Sequence, residues 1–412
     1  MADKRRGFAG VGSSPRPTAF GWPSRGRERE LPVGSEPSAY ASLQVGAHRL
    51  SLLKDGEQTF PSMLEAIASA RSHICLETYI FRADTTGRRV AKALMERARA
   101  GVEVNLIIDA WGSPLPAGFL RRLERAGVRV LLYNPVRISW RALQSRFARL
   151  WRRDHRKILV VDNRVGFTGG LNVGDDYASE AEGGYGWRDT HLRIEGPAVT
   201  ELLYIFLRTW RSEGGAPLDE ARYRNEARRP DPKVRALGSD LRKGRLMIRD
   251  AYLDAINNAK QRLWITSAYF LPSGKLLRAL KNAARRGVDV RLLLAGTTDI
   301  PPARYAAQSF YARLLKAGVR IFEWHRTVLH AKTALADDRW ATVGSSNLDT
   351  MSMRMNLEVN AIVEDEGFNA VLARLFEEDL EQCVEVEWRW FRYRPLFDRL
   401  LSFIIGKVHR WL

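Results

Sequence analysis

Three times in the first half of the chain, and three times again in the second, apolar residues at helical spacing give way to a short break and then to a β-branched run. "AIASARSHICLETYIF" from Ala66 matches "AINNAKQRLWITSAYF" from Ala255, the end of a helix followed by a buried strand. "ALMERARAGVEVNLII" from Ala93 matches "ALKNAARRGVDVRLLL" from Ala279, and "LERAGVRVLLY" from Leu123 matches "LLKAGVRIFEW" from Leu314. In each unit a 3.6-residue period changes to a continuous apolar run, with the helix stopped in four of the six by glycine. Helix and strand in strict alternation predict an α/β fold: a mostly parallel or mixed sheet with helices on both faces. The repetition predicts that this sheet is built twice, in two tandem lobes.

The boundaries follow from breaks in this pattern. Residues 1–40 are rich in Arg, Gly, Ser and Pro and read as a disordered basic tail. Residues 41–211 form the first lobe and 241–387 the second. Between them, residues 212–240 are polar and punctuated by Gly and Pro, the composition of a linker. Residues 388–412 form an amphipathic C-terminal segment. A chain of 412 residues suits two such cores. No stretch approaches the roughly 18 consecutive apolar residues of a spanning helix, and the first forty residues hold no signal-peptide core. Cys75 and Cys383 show no pairing or ligand spacing, which fits a reduced, cytoplasmic setting.

Charge changes this ordinary picture. Lys and Arg number 66 against 47 Asp and Glu, a net charge of +19. Such a surplus favours an anionic partner, nucleic acid or a negatively charged lipid surface, without separating the two.

The candidate chemistry lies in a second repetition. "DHRKILVVDNRVGFTGGLN" from Asp154 and "LHAKTALADDRWATVGSSN" from Leu329 share one set of polar residues at identical offsets of 2, 7 and 17 from a histidine. The pairs are His155 and His330, Lys157 and Lys332, Asp162 and Asp337, Asn172 and Asn347. Small residues, Gly169 and Gly170 or Gly344 and Ser345, stand just before each Asn. On a strand of period two, His and Lys share a face. An imidazole, a cation and a returning Asn make half of an anion pocket, and two halves face to face would enclose one phosphate. One neutral imidazole can then attack phosphorus while the other, protonated, serves the departing oxygen. The lysines and asparagines would bear the equatorial charge with no metal and no cofactor. Asp162 and Asp337 belong to the repeated catalytic set, yet their spacing puts them at a turn, where Asp bonds backbone amides. Each imidazole also needs an acceptor to fix its tautomer; Asp189 and Glu358, each following its own half's motif, are the candidates.

These paired HxKxxxxD motifs resemble the phospholipase D superfamily, from about Ala47 to Val386. "WRDTHLRIEGPAV" from Trp187, "SAYFLP" from Ser267 and the run from Leu329 to "NLEVN" narrow the resemblance to bacterial cardiolipin synthases, of a short type lacking N-terminal membrane helices. The resemblance implies two phospholipase D-like α/β/α sandwich lobes related by a pseudo-twofold axis, with the active site at their interface. It also implies transfer of a phosphatidyl group from one phosphatidylglycerol to the hydroxyl of another, giving cardiolipin and glycerol through a phosphatidyl-histidine intermediate. His155 would be the nucleophile and His330 the acid and base. A phospholipase D that uses water and releases phosphatidic acid, and a phosphodiesterase nuclease of the same fold, remain open as alternatives. Phosphatidylethanolamine as donor is not excluded by the motifs, and oligomeric state is not legible.

Two segments suit an anionic lipid surface, so peripheral association with the cytoplasmic face of the cell membrane is expected, with no nucleic-acid partner. After Pro395, Leu396, Phe397, Leu400, Leu401, Ile404, Val408 and Leu412 gather on one side of a helical wheel, away from Arg399, Lys407 and Arg410. An insertion unique to the first half, Val136 to Arg153, interleaves Trp140, Leu143, Phe147, Leu150 and Trp151 with six arginines. At roughly 1 kcal/mol per basic group, six distinguish an anionic from a neutral membrane.

Overall fold

Alternation along each central strand decides what faces what. In the computed structural model, which describes residues 42–135, 152–223, 231–239, 246–394 and 402, the first sheet comprises β1 (Leu43–Val45), β2 (His48–Lys54), β3 (His73–Thr78), β4 (Glu103–Asp109), β5 (Arg129–Tyr133), β6 (Lys157–Val161), β7 (Val165–Gly169) and β8 (Thr190–Glu195). The second comprises β9 (Val234–Gly238), β10 (Arg262–Ser267), β12 (Asp289–Ala295), β13 (Arg320–Trp324), β14 (Lys332–Ala336), β15 (Trp340–Gly344), β17 (Val359–Glu364) and β18 (Cys383–Glu385). A two-residue pair, β11 (Phe270–Leu271) and β16 (Leu348–Asp349), stands apart.

The two sheets have one topology. The first runs β1-β2-β8-β7-β6-β3-β4-β5, and the second, from its other end, β9-β17-β15-β14-β10-β12-β13-β18. Apart from β1 and β18, every strand has a counterpart in the same place. β3, β4 and β5 are parallel, as are β10, β12 and β13, and all other neighbours are antiparallel. The described residues of the two lobes form one compact unit.

On β6, Ile158 and Val160 face an inner core while Leu159 and Val161 face an outer one; on β10, Trp264 faces inward and Leu263 and Ile265 outward. The inner core is shared by both lobes. Its centre is two helices, Ala198–Ser212 and Glu366–Leu380, whose Phe206 and Phe376 pack among residues of both sheets. Outer helices such as Thr85–Arg99 and Gly274–Arg285 cover the far faces. Helices on both faces of each sheet give the expected sandwich twice over.

One boundary differs from expectation. The presumed linker contributes β9 to the second sheet, paired with β17, so the second lobe begins before residue 241. Val234 and Ala236 enter the inner core while Arg235 between them is exposed; this short alternation is hidden among charged residues. Residues 388–394 pack on the second lobe through Phe391, which lies 5.5 Å from Tyr311. The tail 1–40, residues 136–151 of the insertion and the wheel after Pro395 fall outside the described residues, apart from Ser402. Among the described residues no helix is long and apolar enough to cross a membrane.

Candidate active site

Both histidines stand where the lobes touch, at the carboxyl ends of the parallel strands, the usual binding edge of an open α/β sheet. Two reciprocal backbone bridges set the register between the lobes. His155 N donates to Leu357 O and Leu357 N to Arg153 O, each at 2.9 Å. In the symmetric place, His330 N donates to Arg188 O at 2.7 Å and Arg188 N to Val328 O at 2.9 Å.

The consequence is an exchange of partners. His155 Nδ1 meets Glu358 Oε2 at 3.1 Å, and His330 Nδ1 meets Asp189 Oδ2 at 2.7 Å. Each carboxyl group comes from the opposite lobe, not from its own motif as sequence order implies. With Nδ1 engaged, Nε2 of each ring is the nitrogen left for a substrate.

The small residues before each Asn make room for this. A Cβ at Gly170 would lie 2.0 Å from Asp189 Oδ1, so only glycine fits. Its counterpart Ser345 instead donates its hydroxyl to Glu358 Oε2.

Lys157 Nζ donates to His155 O at 2.7 Å and Lys332 Nζ to His330 O, so each ammonium retains two further donors. Asn172 Oδ1 accepts from Ile80 N at 3.1 Å and Asn347 Oδ1 from Tyr269 N at 3.3 Å, holding the loops after β3 and β10. Asn172 Nδ2 donates to the Tyr177 hydroxyl at 2.6 Å, whereas Asn347 Nδ2 has no partner among the described residues.

Asp162 and Asp337 do not enter the pocket, which corrects their place in the catalytic set. Seven residues of strand-like chain separate each from its histidine, about 23 Å at 3.3 Å per residue. Asp162 accepts from the backbone N–H groups of Arg71, Ser72 and His73, and Asp337 from those of Lys260, Gln261 and Arg262. Each adopts a φ of 52° at its hairpin turn and clasps the start of the neighbouring strand.

Burial and charge divide the two dyads. Burial, then Lys157 and Lys332, hold His155 well below the ordinary imidazole range. Burial and Lys332 lower His330 to about 4, opposed by Asp189. Burial raises Glu358 to about 8, against the pull of Lys157. Asp189 is equally buried, but His330, Lys332 and the Thr190 N–H outweigh burial and keep it low. Near neutral pH, His330 therefore backs onto an ionised carboxylate and His155 onto a largely neutral carboxyl group.

The sequence profile described as "Cardiolipin synthase, PLD-like domain" matches residues 63–199 and 252–380. The cardiolipin synthase of Geobacillus kaustophilus is 36% identical over 92% of this chain and 77% of its own length. Cardiolipin synthase 1 of Bacillus cereus is 35% identical over 85% and 70%. The chain belongs to the cardiolipin synthase family of phospholipase D-like enzymes. Among solved structures, phosphatidylserine synthase of Haemophilus influenzae superposes with a TM-score of 0.70 over 90% of this chain and 94% of its own, at 12% identity. Polyphosphate kinase of Porphyromonas gingivalis gives 0.55 over 88% and 53%, at 13% identity; at such identities the likeness concerns the fold.

Two arginines of this synthase-family site are not signalled by its repeated motif. Arg156, between His155 and Lys157, is buried, and donates to Thr209 Oγ1 and Ser239 O, both at 2.7 Å, and to Glu358 O at 3.2 Å. It thereby ties Glu358 to the first lobe. Arg188 makes a bidentate pair with Asp379 and a third contact with Asp55, locking the residue before Asp189. Within "WRDTH", an arginine beside a buried carboxylate was the available hint.

Proposed function

We propose that the chain makes cardiolipin from two molecules of phosphatidylglycerol by a two-step exchange at one phosphorus. His155 Nε2 attacks the phosphorus of the first lipid; the bond to the headgroup glycerol breaks and that oxygen takes a proton from His330, whose imidazolium form is favoured once the anionic phosphodiester lies in front of the ring and Asp189 behind it. Glycerol leaves, and a hydroxyl of a second phosphatidylglycerol gives its proton to His330 and attacks the phosphatidyl-histidine, freeing His155. Lys157, Lys332 and Asn347 bear the equatorial oxygens. The observation that carries this reading is the pair of histidines, each held by the opposite lobe's carboxyl group and backed by unequal charge. The experiment is incubation of the protein with phosphatidylglycerol vesicles, with lipids and released headgroup analysed together. Cardiolipin with an equal amount of glycerol supports transfer. Phosphatidic acid alone would make the protein a hydrolase, and no lipid product would turn attention to nucleic acid.

The lysines predict the alkaline limb of the pH profile. Burial lowers Lys157 to about 7, with Lys332 adding to the effect, and lowers Lys332 to about 8. A depressed ammonium loses its charge as pH rises through these values, so the empty pocket loses its attraction for a phosphodiester. A bound phosphate restores the charge, and kcat should hold to higher pH than kcat/KM. The expected result is kcat/KM falling above about pH 7 to 8 in mixed micelles; a level profile to pH 9.5 would contradict it.

Peripheral docking on the cytoplasmic face of the cell membrane completes the proposal. Trp111, Tyr185 and Ile300 are 68%, 67% and 46% exposed on loops beside the site. Trp111 precedes Gly112, which packs on Tyr79, and the Tyr79 ring lies 5.1 Å from His155. Tyr185 is two residues from Trp187, whose ring lies 5.9 Å from His330. Ile300 follows Asp299, which holds the Tyr269 hydroxyl. Burying one large apolar side chain contributes about 1.5 to 3 kcal/mol, so a W111S/I300S double variant should bind phosphatidylglycerol vesicles at least about tenfold more weakly. Tyr204, 66% exposed on the helix Ala198–Ser212, is the control, and Y204S should bind normally. Equal losses in both variants would remove the rim from the docking surface.

A further inference from the structure

The two halves of the pocket differ where the symmetry makes them comparable. Asn172 accepts from the backbone N–H of Ile80 in the first lobe, and Asn347 accepts from that of Tyr269 in the second. The position is apolar, Ile80, in the first lobe and carries a hydroxyl, Tyr269, in the second. That hydroxyl donates to Asp299, 2.7 Å from Oδ1 and 2.9 Å from Oδ2. Asp299 is exposed on the loop after β12, yet its charge bears on Tyr177 and Lys332 within the pocket. Trp187 and Tyr177 stand against His330, at 5.9 and 5.3 Å between ring centroids. Asn347, buried and tied to the Tyr269 backbone, keeps an amide nitrogen without a partner among the described residues. The corresponding nitrogen of Asn172 is taken by Tyr177.

A phosphatidyl group held on His155 exchanges its alcohol on the opposite, His330 side. A glycerol headgroup there needs acceptors for its free hydroxyls and an apolar wall for its carbon chain. We propose that Asp299 and the Tyr269 hydroxyl, with the Trp187 ring as wall, form the subsite for the alcohol that leaves and enters: the glycerol headgroup of phosphatidylglycerol. This rests on the transfer reading above and names what selects a polyol over water. Asp299 accepts hydrogen bonds from the hydroxyls that are not reacting, displacing or sharing the Tyr269 O–H, while the oxygen leaving or attacking phosphorus is placed toward His330 Nε2. Capture of the phosphatidyl group by glycerol forms a P–O bond, breaks the P–N bond to His155 and passes the alcohol proton to His330. Water entering the same place gives phosphatidic acid.

The test uses the full chain on phosphatidylglycerol vesicles, with Asp299→Ala, Asp299→Asn and Tyr269→Phe beside the wild type. Cardiolipin and phosphatidic acid are measured together, and labelled glycerol or methanol is added to compete for the phosphatidyl-enzyme. A hydrogen bond to a charged group contributes enough that its loss changes binding by about tenfold or more. Asp299→Ala should therefore lower the cardiolipin to phosphatidic acid ratio about tenfold and raise half-saturation by glycerol to a similar degree, with half-saturation by methanol unchanged. Asp299→Asn, which keeps one acceptor, should restore part of the preference. A general loss of folding would reduce both products together and leave the glycerol-to-methanol preference intact; that preference unchanged in Asp299→Ala overturns the subsite. A wild type that forms neither lipid product would overturn the transfer reading itself, and the subsite with it.

Discussion

His155→Ala is expected to bring turnover of phosphatidylglycerol below detection, and His330→Ala to do nearly the same, but for different reasons that one substrate change separates. Without His155 there is no atom to hold the phosphatidyl group, and nucleophilic catalysis is lost whatever the leaving group. Without His330 the departing alkoxide has no proton donor, a loss of about 10² to 10⁴ for general acid catalysis. A p-nitrophenyl ester of phosphatidic acid releases a stable phenolate and needs no such proton. His330→Ala should thus form the phosphatidyl-enzyme from this ester at a rate close to wild type, seen as a burst of p-nitrophenol, while His155→Ala gives none. A burst from His155→Ala and none from His330→Ala would exchange the two roles; normal activity of either variant on phosphatidylglycerol would remove the assigned chemistry.

The architecture was legible because it rests on local pattern. The paired helix and strand units at Ala66 and Ala255 and at Ala93 and Ala279 announce two equal lobes, and period-two alternation places His155 and Lys157 together. β9 was not legible, since five residues of weak alternation between charged neighbours carry almost no local signal and gain their place from pairing with β17. The carboxyl partners of the histidines were found as residues but not as pairs. The hydrogen bonds span 203 and 141 positions of sequence, and the exchange is decided by the backbone bridges at Leu357 and Arg188. Asp162 and Asp337 show the opposite case: repetition marks them, and repetition of a hairpin clasp looks the same in sequence as repetition of a catalyst. The difference between Ile80 and Tyr269 is legible in the paired runs from Ala66 and Ala255, but the contact of the Tyr269 hydroxyl with Asp299, thirty residues on, is not.

The unequal ionisation of the two carboxyl groups carries the second large prediction, and it ranks two substitutions of equal size. Asp189→Asn keeps the shape of a fully buried side chain, and its carbonyl can still accept from Thr190 N, which donates to Asp189 Oδ1 at 2.7 Å. The amide then faces His330 Nδ1, which lies 2.7 Å from the native carboxylate. The ring must give up its Nδ1–H or lose its partner, and an imidazolium there has no counter-charge. Disrupting a histidine in this way lowers kcat by about 10³ to 10⁴ where the imidazole must carry a proton. Glu358→Gln removes less, because burial has already raised that group to about 8 and its carboxyl group is largely neutral at pH 7. The Gln carbonyl can keep accepting from Ser345 and from His155 Nδ1, so the expected fall is about tenfold, one neutral hydrogen bond altered rather than a charge removed. Parallel kcat measurements at pH 7, on variants whose thermal unfolding confirms the fold, decide the ranking. A larger loss from Glu358→Gln would place the proton-carrying histidine on the other side, at His155, and move the alcohol to that face of the phosphorus.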